Sequence, residues 1–236
     1  MRSPELRKLT YVLTILVVVT NGFAVLMFWF FHRQLQSPIV LFPSGEIPGG
    51  MYYQVIPPLF VFIELTAVIW VYWPFEPQLI RESPVDVQNR NRFILIFAGV
   101  GSGLLLFILF IPFLLRTKPE NGTVSLILYY NKSLTTYINA VLIAIALPLA
   151  SETVFKGIVF KILLRHTSPL SSLLITSLSF ALIWPVFHGY WFALGLGAVT
   201  SLLYYYYRTI IVPMTAHITF TSAVFGFLAL RVVFRH

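Results

Sequence analysis

Twenty-one consecutive residues without a charged side chain, Tyr11 to Phe31, limit this chain more than any other feature. A helix rises 1.5 Å per residue and a bilayer's hydrocarbon core is about 30 Å thick, so about 20 such residues cross it. Apolar runs recur at Met51 to Trp73, which carries Glu64, at Phe93 to Leu115, Leu170 to Tyr190 and Phe192 to Tyr207, and at Ile210 to Phe234, which carries Arg231 near its end. Thr135 to Ala150 continues without a stop into Glu152 to Arg165, which reads as one long helix kinked at Pro148 and leaving the membrane near Arg165. The expected architecture is all-α: a polytopic transmembrane bundle of seven helices, or eight if the long fourth segment splits.

Composition narrows the function classes. Charged residues make up 10% of the 236, against about 25% in soluble domains, so polar groups cannot cover a globular surface. A water-soluble enzyme and a disordered chain are both excluded. The 16 Lys and Arg outnumber the 8 Asp and Glu, but they are scattered among apolar runs. They read as topology signal and not as a nucleic-acid surface. With no Cys, disulfides and thiolate chemistry are excluded.

The first run lacks a small-residue cleavage site and reads as a retained span. A cytoplasmic N-terminus places Arg2, Arg7, Lys8, Arg81, Arg90, Arg92, Lys156, Lys161, Arg165 and Arg208 at or near that face. The breaker-rich Gln36 to Gly50, the charged Pro74 to Arg92 and Arg116 to Leu134 are the expected loops. Val124 to Tyr130 in the last of these is too short to cross. The sequons at Asn121 and Asn131 read as chance matches. Gly99 and Gly103, four residues apart, leave room for a second helix to come close. A single membrane domain, 1–236, is expected, with spans in 1–134 and the informative polar residues in 135–234.

Ionisable side chains inside a span cost roughly 2.5–3.5 kcal/mol even on the lenient insertion scale, so each calls for a reason. Glu64, Glu152 with Lys156, His188 and His217 are the candidates. Glu64 has no helical partner three or four residues away and reads as a protonated carboxyl bonded to a neighbouring helix. Glu152 and Lys156 are four apart, which puts them on one helical face, able to pair and neutralise each other. Glu152, His188 and His217 sit on three helical segments and could instead meet in one water-filled cavity. Zinc fits this set poorly, because no His-Glu-x-x-His exists and Cys is absent. No cofactor is expected.

The order of these motifs resembles the CPBP family of intramembrane proteases. That family includes CAAX prenyl proteases of the Rce type and the bacterial Abi, bacteriocin-processing and lysostaphin-resistance proteins. Its pattern is Glu-Glu-x-x-x-Arg, often ending in Phe-Arg-Gly, then Phe-x-x-x-His, then His-x-x-x-Asn. Here the first motif reads Ser151-Glu152-Thr153-Val154-Phe155-Lys156-Gly157. The second lies around Phe180 to Trp184 and Trp184 to His188, and the third is His217-Ile-Thr-Phe-Thr221 after the run-in Arg208 to Ala216. The resemblance covers Thr135 to Val224. Ser151 stands where the family has its first glutamate and Lys156 where it has Arg. Trp184 stands at the first histidine's place, with His188 one turn later, and Thr221 replaces Asn.

The resemblance implies a Glu and His that activate water for peptide hydrolysis, with a second His and its neighbour binding the oxyanion. Carried over residue by residue, Glu152, His188 and His217 would be catalytic, and Thr221 and Lys156 supporting. A shift of one residue turns a side chain by about 100°, since 3.6 residues complete a turn. Glu152 can replace Ser151 in role only if the helix is rotated, for which the Pro148 kink is the available device. Ser151 itself has no evident base and is not a credible nucleophile. The implied partners are the bilayer and a membrane-associated peptide or lipidated protein C-terminus, in a prokaryotic plasma membrane. Two other readings stay open: a catalytically silent relative that holds a helix or partner, and, on thinner grounds, a transporter.

Overall fold

The computed structural model describes residues 91–116, 141–183 and 190–233, together with residues 4, 6–14 and 18 near the N-terminus. The expected span Met51 to Trp73 with Glu64, most of Tyr11 to Phe31, the three loops except Asn91, Arg92 and Arg116, both sequons, Trp184 and His188 lie outside the described residues. Among the described residues every element is helical and no strand occurs.

Helix α1, Arg92–Arg116, begins where the side chain of Asn91 accepts the Phe93 N–H at 3.0 Å, an ordinary N-cap. Its apolar outer face is exposed, with Phe93, Phe97 and Leu109 each about 70% accessible. Its other end is capped from a distance: Arg231 donates to the Leu114 carbonyl at 2.7 Å, meeting one of the unpaired terminal carbonyls.

The segment expected to be one kinked helix is irregular in a different way. It runs as a π turn over Leu142–Ala146, helix α2 over Leu147–Glu152, a second π stretch over Thr153–Phe160, and α3 over Lys161–His166. Pro148 is the local cause of the first irregularity. It has no N–H for the carbonyl of Ala144, four residues back, and the chain accommodates this with i→i−5 bonding, Leu147 N–H to Leu142. The second π stretch buries Val154, Phe155, Lys156, Ile158, Val159 and Phe160, so both sides of this widened helix face protein. The chain turns at Thr167, which is extended, and Ser168 caps α4, Pro169–Ile183, by accepting the Ser171 N–H at 3.2 Å.

Helix α5, Tyr190–Tyr207, starts at Tyr190, which had been expected to end the preceding span. It lies close against α4: a Cβ on Gly197 would sit 3.2 Å from the Ser177 Cα and from the Phe180 ring. A short turn follows, closed by Arg208 in left-handed backbone (φ 55°) with its N–H on the Tyr204 carbonyl at 2.8 Å. Helix α6, Ile211–Val233, tolerates Pro213 because its first-turn N–H groups have no intrahelical acceptor. Helices α1 and α6 each hold a stretch long and apolar enough to cross a membrane, Arg92–Leu115 and Ile211–Leu228.

The expected small-residue approach at Gly99 and Gly103 has its partner in α6. A Cβ on Gly99 would meet the Thr215 hydroxyl and lie 2.7 Å from the Val212 carbonyl. A Cβ on Gly103 would meet the Ala216 carbonyl and lie 2.8 Å from the Thr219 Cβ. The two backbones thus touch across Gly99-x-x-x-Gly103, as close packing within a membrane requires. The main core gathers Leu9, Val154, Phe155, Ile158, Val159, Ile162, Leu163, Phe180, Ala181, Ala193, Leu196 and Phe220 around the second π stretch.

Candidate active site

Glu152 closes α2, Lys156 lies in the π stretch that follows, Phe180 is near the end of α4, and His217 and Thr221 are a turn apart on α6. The fold brings all five together although 65 residues separate Glu152 from His217. Glu152 Oε1 and His217 Nδ1 are 2.8 Å apart, a hydrogen bond between two side chains with no exposure at all. This contact is direct, where a water-filled gap between them had been expected.

A carboxylate only accepts, so Nδ1 carries the hydrogen and donates it to Oε1. That tautomer leaves the lone pair on Nε2, the basic nitrogen of the ring. Around this couple the setting is aromatic. Phe180 stands edge-on to His217 with centroids 5.8 Å apart, and Phe155 packs edge-on to Phe180 at 5.3 Å. The ammonium of Lys156 lies 5.2 Å from the Phe180 ring centroid, within cation–π range.

Lys156 is fully buried, and its Nζ is 3.9 Å from Glu152 Oε2. That separation makes an ion pair but is too long for a hydrogen bond. Neither Nζ nor Oε2 has a hydrogen-bond partner among the described residues. The two charges compensate one another where water cannot, so removing one strands the other. Lys156→Met is expected to cost about 3–5 kcal/mol, measured by unfolding in detergent micelles, and Glu152→Gln combined with Lys156→Met should cost less than Lys156→Met alone.

The phase question left open by the sequence has a structural answer. A π turn holds one residue more than an α turn, so side chains beyond it are displaced by about the 100° that one residue contributes. The turn over Leu142–Ala146 precedes Glu152, which lies against His217, while Ser151 keeps to its own helix with Oγ donating to the Pro148 carbonyl at 3.3 Å. The rotation had been sought in a kink at Pro148, but the π turn on its N-terminal side provides it.

Thr221 is engaged elsewhere than an oxyanion would need. Its hydroxyl is 2.9 Å from the Ala144 carbonyl of the opposing segment and 2.9 Å from its own helix's His217 carbonyl. Of the two residues expected to support, Lys156 is the one whose polar atom lies beside the Glu152 carboxylate. His188 and Trp184 lie outside the described residues, as noted. Among the described residues no three His, Cys, Asp or Glu side chains gather as metal ligands would. Two participants were missed by sequence reasoning: Phe155, which had only its place before Lys156 to mark it, and the Ala144 carbonyl. The latter had a signal, a proline four residues downstream.

Residues 133–223 match the family described as Rce1-like, "Type II CAAX prenyl endopeptidase Rce1-like". The matched interval differs by only two residues at its start, and one at its end, from the segment whose motifs carry the resemblance. No curated protein and no solved structure matches the chain.

Proposed function

Because residues 133–223 form an Rce1-like segment, we propose that this chain is an intramembrane endopeptidase of the CAAX-protease type, acting on a membrane-associated peptide or a lipidated protein C-terminus. The observation that carries this reading is the 2.8 Å bond from His217 to Glu152 between two helices, beside a buried ammonium. Glu152 orients the imidazole and stabilises the imidazolium that forms when Nε2 takes a proton from water. The hydroxide attacks the scissile carbonyl carbon, and the same nitrogen returns the proton to the leaving amine as the C–N bond breaks. Lys156 supplies positive charge to the developing oxyanion in a site of low dielectric. His188 completes the family's pair of imidazoles.

The protein is then a bundle of seven to eight spans in a prokaryotic plasma membrane with its N-terminus in the cytoplasm. The exposed apolar face of α1 supports lipid as its surroundings.

A second reading has its own observation. Ser151 replaces the glutamate held to activate water, and the Glu152–His217 couple is sealed from solvent, as in a relative that binds a helix without cutting it. One experiment separates the two. Purified protein in liposomes is offered prenylated and unprenylated peptides ending in a CAAX sequence, and release of the C-terminal fragment is followed by mass spectrometry. Cleavage that disappears in His217→Ala supports the protease. Cleavage unaffected by His217→Ala refutes the site, and retention of peptide without cleavage by the wild type supports the silent relative.

A further inference from the structure

The geometry points to Thr221 as a positioning residue that holds the Glu152–His217 couple in place by bonding the Ala144 carbonyl, whose α-helical donor Pro148 removes. In an α-helix the carbonyl of residue 144 would take the N–H of residue 148, and proline has none. A buried carbonyl left unpaired is costly, so a donor from another element is favourable there. Thr221 Oγ1 is 2.9 Å away, on α6.

The hydroxyl has one proton and three carbonyls within reach: Ala144 at 2.9 Å, His217 at 2.9 Å and Ile218 at 3.1 Å. The His217 carbonyl lies four residues before Thr221 within α6, so the backbone N–H of Thr221 already serves it in the helical pattern. The Ala144 carbonyl has lost its α-helical donor to Pro148, and the proton belongs there. This bond and the His217–Glu152 bond then form two rungs between the same pair of elements. On α6 the rungs are four residues apart, 217 to 221, and on the facing segment eight apart, 152 to 144, in the opposite sense. A single rung leaves helices free to slide and rotate, whereas two rungs at unequal spacing set both the slide and the phase of the π turn. The phase is what aims Glu152, and not Ser151, at the imidazole.

Thr221 would thus act through Glu152 and His217 and touch no reacting atom. As a statement about hydrolysis it rests on the protease reading, but its geometry can be tested without cleavage. The protein is labelled with ¹⁵N-histidine in micelles, and the strongly hydrogen-bonded Nδ1–H of His217 is assigned by its loss in His217→Ala. In Thr221→Val, which keeps the shape and removes the hydroxyl, this resonance is expected to move toward that of a solvated imidazole. If cleavage is measurable, activity should fall by about 10²-fold, the scale of a 1 Å misplacement. Thr221→Ser restores both. In a Pro148→Ala background, where residue 148 regains its N–H, the Thr221→Val change should cost much less than it does with Pro148, whatever the activity of Pro148→Ala itself.

An Nδ1–H resonance unmoved by Thr221→Val overturns the inference, as does a Ser variant that fails to restore it. An equal effect of Thr221→Val in both backgrounds also overturns it, including misfolding that Pro148→Ala does not repair. A moved resonance in a protein that cuts nothing leaves the clamp standing and removes the protease.

Discussion

Glu152→Gln is expected to lower stability, because it strands the buried Lys156 ammonium, and in the protein that remains folded to lower kcat by about 10²–10⁴-fold with KM little changed, the range that a positioned general acid–base group contributes. The amide is nearly isosteric with the carboxylate and its oxygen can still accept the Nδ1–H of His217, so the 2.8 Å contact survives in the ground state. What is lost is the negative charge that meets the imidazolium as Nε2 takes a proton, an interaction made only along the reaction. The amide can also turn its NH₂ toward Nδ1 and select the opposite tautomer, which puts the hydrogen on the nitrogen that must be basic. Steady-state kinetics on a cleavable peptide check this. A kcat equal to that of the wild type would mean that Glu152 only packs against the ring.

Single methyl groups on α1 should act with opposite signs. At Gly101 a Cβ meets nothing within 4 Å, so Gly101→Ala should stabilise by up to about 1 kcal/mol through helix propensity. At Gly103 the same methyl runs into the Ala216 carbonyl, and at Gly99 into the Thr215 hydroxyl and the Val212 carbonyl. The obstacles include backbone, which no rotamer change can clear. Gly99→Ala and Gly103→Ala are therefore expected to destabilise by about 1–3 kcal/mol, toward the upper end where both are combined. Thermal unfolding in micelles gives the sign for each variant. The Gly103 change should also depress any hydrolysis beyond its effect on stability, because Ala216 is the neighbour of His217. Three variants with the same sign would mean that α1 and α6 do not meet as described.

Membrane character and helical content were legible in the chain because both depend on local quantities. Run length, missing charge and breaker residues locate α1, α5 and α6 to within two residues at each end, since apolar length sets a span and loops carry Pro, Gly and charge. The polar candidates were legible for a similar reason: a Glu, a Lys and a His in apolar runs are costly wherever they fold. The spacing of Gly99 and Gly103 also announced a close neighbour, though not which one. The matched family interval agrees with a motif order that needs only one dimension to read.

Direction around a helix axis was not legible. The sequence placed Ser151 and Glu152 at adjacent positions about 100° apart and left open which would face the histidine. The answer depends on a π turn at a proline that withholds a donor, where a threonine 77 residues away bonds the carbonyl concerned. Pairing of Glu152 with His217 across 65 residues is of the same kind. What the chain determined alone was the solvent it needs, the helical class and the residues too expensive to be there without cause. Which of those residues touch, and in which phase, only the tertiary structure decided, because hydrogen bonds between distant elements set a helix's local winding as much as its own residues do.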